Sequence, residues 1–201
     1  MTNHQLSTMN IPNLLTLLRI LLIPVFVVTF YLPWSWANVL TTFIFGLAAI
    51  TDLFDGYLAR RWNQTSAFGA FLDPVADKLI VVVALVLIVQ ADPNPHPSPW
   101  LAIPAAVIIG REITISALRE WMAEIGQRAK VAVSIIGKIK TNAQMCALLM
   151  LLYHEPLFGL PIYEIGLLSL YVAAILTLWS MMVYLQAALP ILLKNEDGKG
   201  G

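Results

Sequence analysis

Four aspartates crowd one short stretch of this chain: Asp52 and Asp55 in "TDLFDG", then Asp73 and Asp77 in "FLDPVAD". The first pair is three residues apart and the second four, so on helices each pair shares a face. Two helix ends joined by a short loop can then offer four carboxylates to one volume. Left alone they would repel, and one or more would stay protonated. Lys78 and Arg60 are too few to balance them. One or two hard divalent cations balance them better, because all-oxygen ligand sets suit magnesium, manganese or calcium. No His or Cys accompanies them, which argues against zinc. Gly56, Ala59 and Gly69 punctuate the same stretch and would let a ligand approach closely. Arg60 and Arg61 add donors suited to phosphate. Metal-binding carboxylates, small residues and an arginine together point to a pyrophosphate substrate. The competing reading, a solvated helix end, suits one aspartate pair better than two.

The elements that must hold these residues are apolar. Of 201 residues, 59% are hydrophobic and 12% charged, against about 45–50% and about 25% in soluble domains. That composition predicts an integral membrane protein, all-α, with six transmembrane helices. The candidate spans are 13–31, 35–54, 74–90, 99–122, 138–153 and 163–193, each near the length a bilayer requires. The last exceeds one bilayer and is expected to tilt or to kink at Pro190. Residues 1–195 read as a single membrane domain and 196–201 as a disordered tail. No cleavable signal peptide is evident. The lone Cys146 excludes a disulfide framework, and the zero net charge suggests no nucleic-acid partner. None of the twelve basic residues lies in the connections 32–34, 91–98 or 154–162. The positive-inside rule makes the opposite face cytoplasmic. Both termini and the four aspartates then lie at the cytoplasmic side of a multi-pass protein.

Other polar residues on that face are candidates for a second substrate. Arg111 falls well inside span four, beside Glu112; so deep a charge faces a polar cavity or a partner. Arg111, Lys138 and Lys140 are candidate ligands for an acceptor phosphate, and Arg119 follows them. The alternatives are an ion pair of Arg111 with Glu112 or with a carboxylate on another span, and interfacial snorkelling of the two lysines. Asn13, Thr16 and Arg19 in span one form one polar stripe. It either lines a donor pocket or is an interfacial face from which Arg19 snorkels. Arg128 and Lys130 suit contacts with anionic membrane lipids. His96 and His154 read as structural, Trp34, Trp36, Trp100 and Tyr163 as an outer aromatic belt, and Trp179 as lipid-facing or core packing.

The stretch Asp52-x-x-Asp55-Gly56-x-x-Ala59-Arg60, eight residues, then Gly69-x-x-x-Asp73-x-x-x-Asp77 resembles the signature of the CDP-alcohol phosphatidyltransferase family, with every position filled. "NIPNLLTLLRI", "ARRWNQ", "REITISALREWMAE" and "GKIKT" extend the likeness to the branch whose acceptor is sn-glycerol 3-phosphate. The resemblance implies transfer of a phosphatidyl group from CDP-diacylglycerol to that acceptor, with release of CMP. It implies that Asp52, Asp55 and Asp73 ligate two divalent cations, magnesium or manganese, with Asp77 touching the second. It also implies that Asp77 is the general base, and that Gly56, Ala59, Arg60 and Gly69 shape the site for CDP-diacylglycerol. A homodimer in the bacterial inner membrane is implied too, and the small residues of "AIPAAVIIG" permit close helix packing. Three rivals remain: the same chemistry on another alcohol such as serine or inositol phosphate, a divalent-cation transporter, and a non-enzymatic lipid-binding protein. A transporter requires carboxylates near the midplane and a path outward; here all four aspartates lie at the inner edge.

Overall fold

Among the described residues six helices follow one another: α1 Ile11–Phe30, α2 Ala37–Trp62, α3 Ala67–Gln90, α4 Pro99–Glu124, α5 Ile135–Tyr153 and α6 Ile162–Asp197. This computed structural model describes the backbone of residues 11–62, 67–92, 99–125 and 135–197. Side chains are described except at 11–13, 52–62, 67–71, 73–74, 135–139 and 190–197. The described residues contain no β-strand; Leu157 and Leu160 form an isolated bridge.

All six expected spans are helices, but their ends differ in a way that matters for the site. α2 continues to Trp62 and α3 begins at Ala67, so most of the connection expected over 55–73 is helical. α4 continues two residues beyond its expected end, to Glu124, and Arg111 lies more than three turns from that end. α6 runs past Pro190 through Asp197. It thereby includes Glu196 and Asp197 of the expected tail; 198–201 lie outside the described residues, as do His96, Arg128 and Lys130.

The chain divides into two compact units, Met1–Ala91 with Leu148–Tyr163, and Asp92–Ala147 with Glu164–Gly201. In the first, α1 packs against α2 and α3. Phe26 and Phe45 meet at 5.9 Å between ring centroids, and Ala48, Ala84, Leu85 and Leu148 complete a fully buried core. Gly46 lets Leu149 approach; a Cβ there would meet its Cδ2 at 3.6 Å. Asn38 Nδ2 donates to the Tyr153 carbonyl at 3.2 Å and to Glu155 Oε1 at 2.8 Å. α5 stops where His154 turns left-handed (φ 44°) and its N–H closes on the Met150 carbonyl at 3.0 Å, an αL helix cap. Phe158 and Gly159 then take positive φ (52° and 79°) between the paired Leu157 and Leu160, the geometry of a two-residue turn for which Gly159 is suited.

In the second unit, Ile115 and Met122 of α4 pack with Tyr184 and Ala188 of α6. The outward faces stay apolar in both units: Leu21, Phe43, Ile113, Leu168, Ile175 and Trp179 are all exposed. Trp34, Trp36 and Trp100 are exposed as well, the first two stacked at 5.3 Å. By length and composition, Pro99–Glu124 and Ile162–Leu189 can each cross a bilayer, and Leu14–Phe30 and Ala37–Thr51 are shorter apolar stretches.

Candidate active site

The aspartate stretch is carried by two helices of the first unit. On α2, Asp52, Asp55, Gly56 and Ala59 stand at i, i+3, i+4 and i+7. On α3, Gly69, Asp73 and Asp77 stand at i, i+4 and i+8. Because the backbone is helical across both runs, each set occupies one helix face. The side chains of Asp52, Asp55, Gly56, Ala59, Arg60, Gly69 and Asp73 lie outside the described residues. Among the described residues, no three His, Cys, Asp or Glu form a group able to hold a metal ion.

Asp77 is described, and it has a partner that lies 58 residues away in sequence. Arg19 Nη1 of α1 donates to Asp77 Oδ1. Arg19 is 1% exposed, whereas the Asp77 side chain is 42% exposed. The reading of Arg19 as an interfacial snorkel is therefore corrected: its guanidinium lies inside the fold. The sequence of α1 explains how. Thr16, Arg19, Phe26 and Thr29 are its buried positions, one face at helical spacing. That face is polar at one end and aromatic further along. A guanidinium held out of water is tolerated only with partners for its charge, and Asp77 is one. Asn13, the third member of the stripe, lies outside the described side chains.

The second unit holds a separate polar cluster. Arg111 is 7% exposed and Lys140 3% exposed, so neither snorkels. Both donate to a single oxygen, Glu112 Oε1, the Arg111 contact being 3.1 Å. Arg111 Nη2 also donates to Ser180 Oγ at 2.9 Å, while its buried Nε has no partner among the described residues. The Arg111 and Arg119 guanidinium carbons both lie near the Tyr184 ring, at 5.8 and 5.4 Å from its centroid. Arg119 Nη2 reaches the Tyr184 hydroxyl at 3.2 Å. The pairing of Arg111 with Glu112, one of the alternatives read from the sequence, is thus present, and Lys140 joins it. Lys138 lies outside the described side chains. Two buried cations here share one carboxylate, and Arg119 adds a third positive charge beside Tyr184, a balance suited to receiving an anion.

The profile of the CDP-alcohol phosphatidyltransferase family matches residues 9–185. The chain belongs to the CDP-alcohol phosphatidyltransferase family. Relatives named "CDP-diacylglycerol--glycerol-3-phosphate 3-phosphatidyltransferase" include one from Salmonella typhimurium, 58% identical over 179 residues, 89% of this chain and 94% of the relative. Another, from Pectobacterium atrosepticum, is 59% identical with the same coverage. A third, from Sodalis glossinidius, is 58% identical over 90% of this chain and 95% of its own length. The CDP-alcohol phosphatidyltransferase match spans both units.

Sequence reading missed Ser180, Tyr184 and the bridging role of Glu112. The signal for the first two was present in "LTLWSMMVY". Thr177, Ser180 and Tyr184 recur at i, i+3 and i+7 on an apolar helix, and all three are buried, which is the pattern of an inward polar stripe.

Proposed function

We propose that this chain transfers the phosphatidyl group of CDP-diacylglycerol to sn-glycerol 3-phosphate, giving phosphatidylglycerophosphate and CMP. What carries the reading is identity of 58% over 94% of the length of relatives bearing that activity in their name. The complete motif on two helical faces supports it. Asp52, Asp55 and Asp73 are the proposed ligands of two divalent cations, magnesium or manganese, with Asp77 at the edge of that set. All-oxygen donors one helical turn apart fit such ions. When bound, the ions supply charge neutralisation on the pyrophosphate and on the departing CMP.

The remaining work falls to the chain's own groups. Asp77 accepts the proton of the acceptor hydroxyl. The freed oxygen forms a bond to the phosphatidyl phosphorus, and the bond from that phosphorus to the CMP oxygen breaks. Gly56, Ala59 and Gly69 leave room for the donor, Arg60 binds its phosphates, and the stripe Asn13, Thr16 and Arg19 borders the donor pocket. Arg111, Lys138 and Lys140, with Arg119 behind them, bind the acceptor phosphate. The burial of Arg111 and Lys140 against a single carboxylate, Glu112, favours a phosphorylated acceptor over serine, since the pair of cations exceeds its one resident anion.

Residues 1–195 are read as one membrane domain of six spans in the bacterial inner membrane, with both termini and the site cytoplasmic. The exposed apolar faces support this, because soluble monomers rarely expose such area. The donor's acyl chains then stay in the bilayer while CMP and the acceptor exchange with water. A homodimer is part of the reading: Ala102, Ala106 and Gly110 are exposed along one face of α4, and a Cβ on Gly110 would meet nothing within 4 Å.

CMP release from CDP-diacylglycerol in detergent tests the assignment. It should require a divalent cation and sn-glycerol 3-phosphate; equal rates with serine would overturn it. Arg111→Ala should raise KM for sn-glycerol 3-phosphate about 10- to 100-fold, the size of a lost charge-assisted hydrogen bond, with a smaller change in kcat. An unchanged KM would remove Arg111 from the acceptor site.

A further inference from the structure

The acceptor reading accounts for cations but not for the carboxylate among them. We infer that Glu112 is the resident counter-ion of the acceptor-phosphate site. It holds Arg111 and Lys140 in place when the site is empty, and it limits how tightly a phosphate is held. This rests on the assignment of Arg111 and Lys140 to the acceptor phosphate.

Three observations carry it. One oxygen, Glu112 Oε1, accepts from both Lys140 and Arg111. Both cations are buried, so without Glu112 they would face each other across a medium that screens poorly. Yet the cluster stays cationic in sum, with Arg119 and Arg111 both against the Tyr184 ring and Arg111 Nε buried without a partner among the described residues. An entering phosphate dianion therefore meets three cations already oriented, and one anion that opposes it. Ser180 and Tyr184 keep Arg111 and Arg119 positioned independently of Glu112. Loss of the Glu112 charge should thus remove repulsion more than it removes order. A carboxylate in this position weakens phosphate binding enough for a phosphorylated lipid product to leave. It also keeps the empty protein folded.

The test uses the full-length chain in detergent with EDTA present, so that no metal contributes, and inorganic phosphate or sn-glycerol 3-phosphate as probe. Binding is read by thermal stabilisation and by calorimetry. Glu112→Gln keeps the shape and an acceptor oxygen. It should lower the melting temperature of the phosphate-free protein, and it should tighten phosphate binding by about tenfold or more, since a charge opposing the anion within a few ångström is gone. Phosphate should then restore the lost stability. Glu112→Asp, which keeps the charge but withdraws it by one methylene, should shift both quantities less and in the same directions, and it serves if the glutamine variant does not fold. Wild-type binding that Arg111→Ala weakens, but that neither Glu112 variant tightens, overturns the counter-ion role and leaves the acceptor assignment standing. If the wild type binds no phosphate, or Arg111→Ala leaves binding unchanged, the acceptor assignment falls and the counter-ion role with it.

Discussion

Asp77→Asn should reduce turnover about 10³-fold, within the range general acid–base groups contribute, while the protein still binds its divalent cations. Asparagine has the size of aspartate and keeps an oxygen to accept from Arg19, but it cannot take the proton of the acceptor hydroxyl. The proposed ligands Asp52, Asp55 and Asp73 remain, so manganese binding measured by electron paramagnetic resonance should weaken only modestly. The melting temperature should fall somewhat, because Arg19 loses its anionic partner while staying buried. Turnover within tenfold of the wild type would show that Asp77 is not the base. Loss of manganese binding in step with turnover would make Asp77 a principal ligand instead.

Arg19→Gln is the second substitution with a large expected effect. The Arg19 guanidinium is buried and bonds the Asp77 carboxylate from a different helix, so the contact ties α1 to α3. Removing one partner of a buried pair costs about 3–5 kcal/mol. The half-exposed Asp77 regains water, so about 2 kcal/mol is the expected loss here. Turnover should fall as well, since the carboxylate proposed to accept the proton loses the bond that orients it. Arg19→Lys should recover most of the stability and less of the turnover, because an ammonium offers a point charge where the guanidinium offers a directed fork. Denaturant titration and kcat, measured on both variants, check this. A glutamine variant with wild-type stability and kcat would make the Arg19–Asp77 contact incidental.

Hydropathy located all six helices because each must keep its backbone hydrogen bonds within itself when surrounded by apolar groups. It failed at the inner ends because those ends are polar. Asp52 to Trp62 is too polar to count as a span, yet the backbone of "DLFDGYLARRW" stays helical. Spacing therefore predicted the helix faces of the aspartates better than it predicted the helix ends. The stripe of Thr16 and Arg19 was legible as a stripe, but its depth was not. Nothing within 58 residues of Arg19 announces Asp77, and only the packing of α1 on α3 brings them together. Likewise "GREIT" showed Arg111 beside Glu112, but adjacent residues on a helix point about 100° apart. It took Lys140 of α5 and Ser180 of α6 to show which way the two side chains turn. Span six carried Thr177, Ser180 and Tyr184 at helical spacing, a signal passed over because its apolar residues dominate; Trp179, on the other side of that helix, is exposed as expected for a lipid-facing residue.

The most direct test follows both products at once. Purified protein in detergent receives CDP-diacylglycerol and isotopically labelled sn-glycerol 3-phosphate, with magnesium or manganese, and the lipid and nucleotide fractions are quantified by mass spectrometry. Labelled phosphatidylglycerophosphate and CMP should form in equal amounts, with both abolished by EDTA and both formed about 10³-fold more slowly by Asp77→Asn. CMP without labelled lipid, or equal yields in EDTA, would contradict the proposed transfer.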